Sequence, residues 1–91
     1  MTLLKNQWFV YIVECADNTL YTGITNNLSR RIAQHNRGKA ASYTRGRLPV
    51  TLHYYEQANS RGDALRREWK IKHMTREMKL DMIRKFDFTP I

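Results

Sequence analysis

Arg31 and His35 stand one helical turn apart in the stretch YTGITNNLSRRIAQHNRG, residues 21 to 38. With Leu28 set at ~0° on a helix of 100° per residue, Ile32 falls at ~40°, His35 at ~340° and Arg31 at ~300°. Both polar side chains therefore border the buried face, neighbours at i and i+4. An arginine reaching past the core to water and a half-buried histidine account for the pair in packing terms. A guanidinium and an imidazole lining a cleft account for it in chemical terms. Glu68 poses the same question with opposite sign. With Ala64 at ~0°, Ile71 lies at ~340° and Glu68 at ~40°, inside the apolar arc. A carboxylate there is costly unless it is paired or holds a cation. Lys72, at i+4, is the ordinary partner, and a metal ion is the alternative.

Tyr11 and Tyr21 belong to two short runs that read as paired strands, WFVYIVE (8–14) and LYTGIT (20–25). Aromatics packing across a hairpin explain both residues as well as chemistry does. Gly23 is less easily explained, because glycine inside a strand marks a bulge or a close approach to the backbone.

The elements that must position these residues follow from local signals. ADNT (16–19) is a turn, so the two strands form an antiparallel hairpin. Asn26 or Asn27 caps a helix from about Leu28 to Arg37, and Gly38 suits its end. GKAASYTRGRL (38–48) has neither period and reads as a flexible basic loop. VTLHYYE (50–56) alternates as a third strand. Ser60, with Asp63 three residues on, opens a helix to about His73. Thr75 opens another to about Phe86, with Met78, Met82, Ile83 and Phe86 on one side. DFTPI (87–91) reads as a tail. The order is β-β-α-β-α-α, an α+β class with a small three-stranded antiparallel sheet flanked by helices, in one domain over 1–91.

Charge narrows the partners. Sixteen Lys and Arg against eight Asp and Glu give +8. No acidic residue occurs from Asn18 to Tyr55, a stretch that holds Arg30, Arg31, Arg37, Lys39, Arg45 and Arg47. Such a field attracts polyanions, and Tyr43 among the cations favours nucleic acid over an anionic lipid surface. One cysteine, Cys15, excludes an intrachain disulfide and a cysteine-based zinc site. The opening MTLLKNQW is too short in apolar run for a signal, and no run approaches a membrane span. The expected compartment is cytoplasmic.

FVY (9–11) followed by YTG (21–23), NLSRRI ending near Arg31, and DALRRE carrying Glu68 together resemble the GIY-YIG nuclease superfamily. The first half reads FVY where the family signature has GIY. The ordered set, with His35, covers essentially the whole chain and is most similar to small stand-alone bacterial members of the UPF0213-like group. The resemblance implies a metal-dependent endonuclease acting on branched or distorted DNA in repair or recombination, with RNA as the alternative substrate. A binding module or a nuclease subunit with little activity alone is the alternative function. It implies that Tyr11 positions the phosphate or the attacking water, that Tyr21 acts as or assists the general base, and that Gly23 lets the backbone approach substrate. It implies that Arg31 stabilises phosphoryl charge and that Glu68 holds one Mg²⁺ or Mn²⁺. His35 shares in proton transfer and competes with Tyr21 as base, because a tyrosine titrates near ~10 and a histidine near ~6.5. Arg30, Arg37, Lys39, Tyr43, Arg45, Arg47 and Arg67 are the expected nucleic-acid contacts. Some members carry an asparagine after the glutamate; TREMKLDM (75–82) has none.

Overall fold

The structure, a computed structural model, describes residues 7–86. The expected tail at 87–91 and the first six residues lie outside the described residues. Strand β1 (Trp8–Glu14) is central, between β2 (Leu20–Thr25) and β3 (Thr51–Ala58), and both pairings are antiparallel. Helix α1 (Leu28–Asn36) follows β2, and α2 (Ser42–Arg45) precedes β3. Helices α3 (Arg61–Lys72) and α4 (Arg76–Lys85) complete the fold. The α+β class holds, and the structure adds one element to the expected order, giving β-β-α-α-β-α-α.

The caps are those the sequence signals. Asn27 Oδ1 accepts from the Arg30 amide, Ser60 Oγ from Asp63, and Thr75 Oγ1 from Met78, at 3.0, 3.0 and 3.2 Å. Each satisfies a backbone donor that the first helical turn leaves without a partner. The Asp63 carboxylate does not complete a reciprocal box; it pairs with Arg66. Asn18, at φ 68°, takes the left-handed turn position, and Gly38, at φ 73°, follows α1. Strand β3 runs to Ala58, beyond the expected end at Glu56, because Gln57 and Ala58 pair with Phe9 and Trp8.

The sheet separates two cores, because successive strand residues point to opposite faces. Tyr11, Val13, Cys15, Leu28 and Val50 form one, joined by Tyr21, Ile32 and Tyr55. Val10, Ile12, Ala64 and Ile71 form the other, joined by Met82 and Ile83. Met78, expected on the buried side of α4, is 51% exposed. The first three residues of that helix, Arg76 to Met78, are all exposed.

The 38–48 segment is not a flexible loop. Four of its residues form α2, and Thr44 is buried. Asn36 pins the chain just beyond it: its Oδ1 accepts from the Val50 amide at 2.7 Å, and its Nδ2 donates to the Val50 carbonyl at 3.2 Å. Two such bonds are worth about 1–3 kcal/mol together. Asn36→Ala is expected to lower unfolding free energy by about that amount in urea denaturation. Asn36→Asp, which keeps the acceptor and loses the donor, is expected to lose less.

Candidate active site

Tyr11 faces Gly23 across the β1–β2 pair. A Cβ on Gly23 would lie 2.6 Å from the Tyr11 hydroxyl oxygen and 2.7 Å from the ring carbon bearing it. Gly23 is thus required by the phenol that lies over it, which fills the space a Cβ would need. The phenol crosses the glycine and reaches α1, where its hydroxyl lies 2.7 Å from His35 Nε2. The other ring nitrogen, Nδ1, is 2.9 Å from Thr44 Oγ1, and Thr44 donates to the Ala41 carbonyl at 3.1 Å.

That last bond assigns the protons along the line. The Thr44 hydrogen is spent on Ala41, so its oxygen accepts from Nδ1–H. Nε2 is then a lone pair and accepts from the Tyr11 hydroxyl. Tyr11 and His35 are both fully buried. Burial pushes the Tyr11 phenol up to about 12, with the neighbouring Arg31 guanidinium pulling the other way and Tyr21 and Glu68 adding to the rise. Burial, and then the Arg31 charge, hold the His35 imidazole down at about 4. At neutral pH the pair is a neutral phenol donating to a neutral imidazole.

Tyr21 is half-buried beside them, its ring 5.4 Å from that of His35 and 6.5 Å from that of Tyr11. Arg31 donates to Gln34 Oε1 at 3.3 Å. Its Nε is buried and has no hydrogen-bond partner among the described residues. Glu68 comes from α3, which packs over β1 and β2 from the other side of the sheet. Its side chain is 18% exposed and pairs with Lys72 at 3.3 Å, the i+4 partner the spacing offers. The Lys72 ammonium in turn stands 5.9 Å from the centre of the Tyr21 ring. The edge strand β2 thus has a phenol, a guanidinium, a carboxylate and an ammonium gathered around it.

Residues 7–81 match the family model of the GIY-YIG catalytic domain. The chain belongs to the GIY-YIG family. It is 55% identical over 75 residues to a UPF0213 protein of Staphylococcus haemolyticus, covering 82% of this chain and 92% of that one. It is 51% identical over 70 residues to a UPF0213 protein of Halobacterium salinarum, covering 77% of this chain and 91% of that one. The solution NMR structure of the UPF0213 protein BH0048 from Bacillus halodurans superposes with a TM-score of 0.56 at 41% identity, over 86% of this chain and 83% of that one. The NMR structure of EF2693 from E. faecalis gives 0.58 at 29% identity, over 96% of each. GIY-YIG is a nuclease superfamily, so the family points to nucleic acid as the substrate class. No helix among the described residues is long and apolar enough to cross a membrane.

The expected nucleic-acid contacts divide. Arg37, Lys39 and Arg45 are exposed and make no ion pair among the described residues; Arg30 is exposed and donates to Asn26 at 3.3 Å. Tyr43 is 43% exposed. Arg47 is committed internally, to Asp17 at 2.8 Å and to the Tyr43 carbonyl at 2.9 Å. Arg67 pairs with both Glu56 oxygens at 2.9 and 3.0 Å, on the side of α3 that faces β3. It therefore stands apart from the GIY-YIG tyrosines, while Glu68, one residue on, turns towards β2. Thr44 was not singled out by any sequence signal, because it reaches His35 only once α2 has formed.

His35 makes stability depend on pH in a defined window. Its folded pKa of about 4 lies below the unfolded 6.5, so between them the unfolded chain binds the extra proton. The contribution is complete above 6.5 and disappears as pH falls towards 4, with a size of up to about 3 kcal/mol. The Asp17 carboxyl, held at about 2 by Thr19 and Arg47, loses its own contribution only below the ordinary aspartate value of 3.8. Urea denaturation between pH 4 and 7 is expected to show stability falling with acid in the wild type. The slope should be largely absent in His35→Gln.

Proposed function

We propose that the protein is a metal-dependent endonuclease that hydrolyses DNA phosphodiester bonds, selects branched or distorted DNA by shape, and serves repair or recombination. The observation that carries this reading is the Arg31 guanidinium beside the Tyr11 hydroxyl, whose buried Nε makes no hydrogen bond among the described residues. A desolvated guanidinium donor that the fold leaves without a partner suits an acceptor brought from outside. A phosphate oxygen matches its planar fork.

The donor set fits one hard cation held jointly with substrate. No group of three or more His, Cys, Asp or Glu able to hold a metal occurs among the described residues, and Glu68 is the carboxylate at the site. Mg²⁺ commonly takes one or two carboxylates and fills its shell with water and substrate phosphate. Glu68 would hold such an ion, which would supply neutralising charge at the phosphate and make water more acidic. Lys72 must leave Glu68 for the carboxylate to serve it.

The remaining roles follow from the hydrogen bonds. Both His35 nitrogens are engaged and the ring is fully buried, so His35 does not meet water directly. This favours Tyr21, whose hydroxyl has no partner among the described residues, as the group that orients the attacking water and, in its phenolate form, takes its proton. Tyr11, as buried as His35 and held by it as a neutral donor, helps to position the phosphate or the attacking water through its neighbours Arg31 and Tyr21. Arg31 stabilises charge on the phosphoryl oxygens. The exposed Arg37, Lys39 and Arg45 contact phosphates and carry no base recognition, which suits selection by shape. The Glu68–Lys72 pair favours a second reading, a binding module or subunit with little activity alone, in which the carboxylate never takes a metal.

The test is cleavage of labelled duplex, flap, fork and four-way-junction DNA with Mg²⁺, Mn²⁺ or EDTA. The nuclease reading expects metal-dependent cutting, strongest on a branched substrate. Arg31→Ala and Glu68→Gln are expected to slow it by about 10²–10³-fold. Tyr21→Phe is expected to slow it by about 10²–10⁴-fold. DNA binding without cleavage in any metal would favour the second reading.

A further inference from the structure

Beyond Tyr21 lies a second group of donors. The Tyr43 ring stacks on Tyr21, with centroids 5.8 Å apart and planes inclined by 27°. With Thr19, Leu20, Arg76 and Lys79, Tyr43 lines an open cavity of about 200 Å³. Pockets for small molecules usually span about 300–1,000 Å³, so this one suits a single phosphate group better than a whole small ligand. The Tyr43 hydroxyl, the Arg76 guanidinium and the Lys79 ammonium have no hydrogen-bond or ion-pair partner among the described residues. The nearby carboxylate, Asp17, is already taken: it accepts from the Thr19 hydroxyl at 2.6 Å and pairs with Arg47 at 2.8 Å. Two cations and a phenol without an acceptor make a site for an anion.

We propose that this cavity is a phosphate subsite, one that binds the nucleic-acid strand flanking the bond to be cut. The proposal rests on the nuclease reading and adds Arg76 and Lys79 to it. Continuity with the active site carries the choice of a strand over a free anion. Tyr43 touches Tyr21, and Tyr21 touches His35 with centroids 5.4 Å apart, so one aromatic ring separates the cavity from the buried hydroxyl line. A chain of phosphates bound at Arg31 passes naturally to donors one ring away. Arg76 and Lys79 lie outside the acid-free stretch of sequence, and only the packing of α4 brings them beside Tyr43.

The experiment measures binding in EDTA, where no hydrolysis is required. A fluorescent DNA fork is titrated with the wild type, with Arg76→Ala/Lys79→Ala and with Arg84→Ala/Lys85→Ala. The last pair removes the same two charges from the other end of α4, where both side chains pair with Asp81. The cavity variant is expected to bind about tenfold or more weakly and to flatten the log–log salt dependence by about 1.4–1.8. The control is expected to change affinity less than about threefold, as charges already paired do. Arg76→Gln/Lys79→Gln, checked by circular dichroism, should behave as the alanine pair does. Replacing single phosphates of the fork by methylphosphonate should weaken the wild type at a position where the cavity variant is insensitive. Equal losses in cavity and control variants, or none in the cavity variant, overturn the subsite. Competition by millimolar inorganic phosphate overturns the strand and assigns a free-anion site. A wild type that binds no DNA overturns the nuclease reading itself, whereas binding without cleavage leaves the subsite standing.

Discussion

The hydrogen bond from the Tyr11 hydroxyl to His35 Nε2 is the contact on which the rest of the site depends. It joins the central strand to α1 through the space that Gly23 leaves open. A side chain at that position would push the phenol away from the imidazole. The bond also needs one tautomer, and Thr44 selects it from a helix of only four residues. Strand, glycine, helix and short turn are therefore constrained together. The buried polar groups of Tyr11, His35 and Thr44 each have a partner, which turns a costly burial into a rigid frame. The tightly held line leaves Tyr21 and Arg31 at its margin, where they are available to a ligand.

The local parts of this arrangement were legible in the sequence. Asn27, Ser60 and Thr75 announce their helices because a capping oxygen acts on an amide two or three residues away. WFVYIVE and LYTGIT announce their strands by composition. Gly23 signalled a close approach, and the structure shows the Tyr11 phenol making one. The reach across the fold was not legible. Nothing in GKAASYTRGRL shows that Thr44 will meet His35, because the helix that brings it there is too short to have a period. Nor does DALRRE show that Arg67 turns to Glu56 while Glu68, with the i+4 partner Lys72 that its spacing offers, turns to the tyrosines. That division depends on where α3 crosses the sheet. The asparagine found in some family members has no counterpart in TREMKLDM, and the structure offers Lys72 as the polar neighbour of Glu68 instead.

Net charge also means less than it first suggests. Arg47 and Arg67 raise the total but are held by Asp17 and Glu56, so they brace the fold. Arg37, Lys39 and Arg45 are exposed without such partners among the described residues, and they carry the long-range attraction for a polyanion. The acid-free stretch from Asn18 to Tyr55 contains both kinds. Pairing, more than position in the sequence, separates the cations that hold the protein together from those open to phosphate.

The protonation state of His35 tests this account most directly. Nitrogen-15 NMR of the imidazole reads both ring nitrogens as pH is varied, and comparison with Thr44→Val isolates the selecting contact. The account predicts a neutral ring protonated at Nδ1 that persists to about pH 4 in the wild type. In Thr44→Val it predicts a mixture of tautomers. An imidazole that titrates near its ordinary value of 6.5, or a proton resident on Nε2 in the wild type, would contradict it.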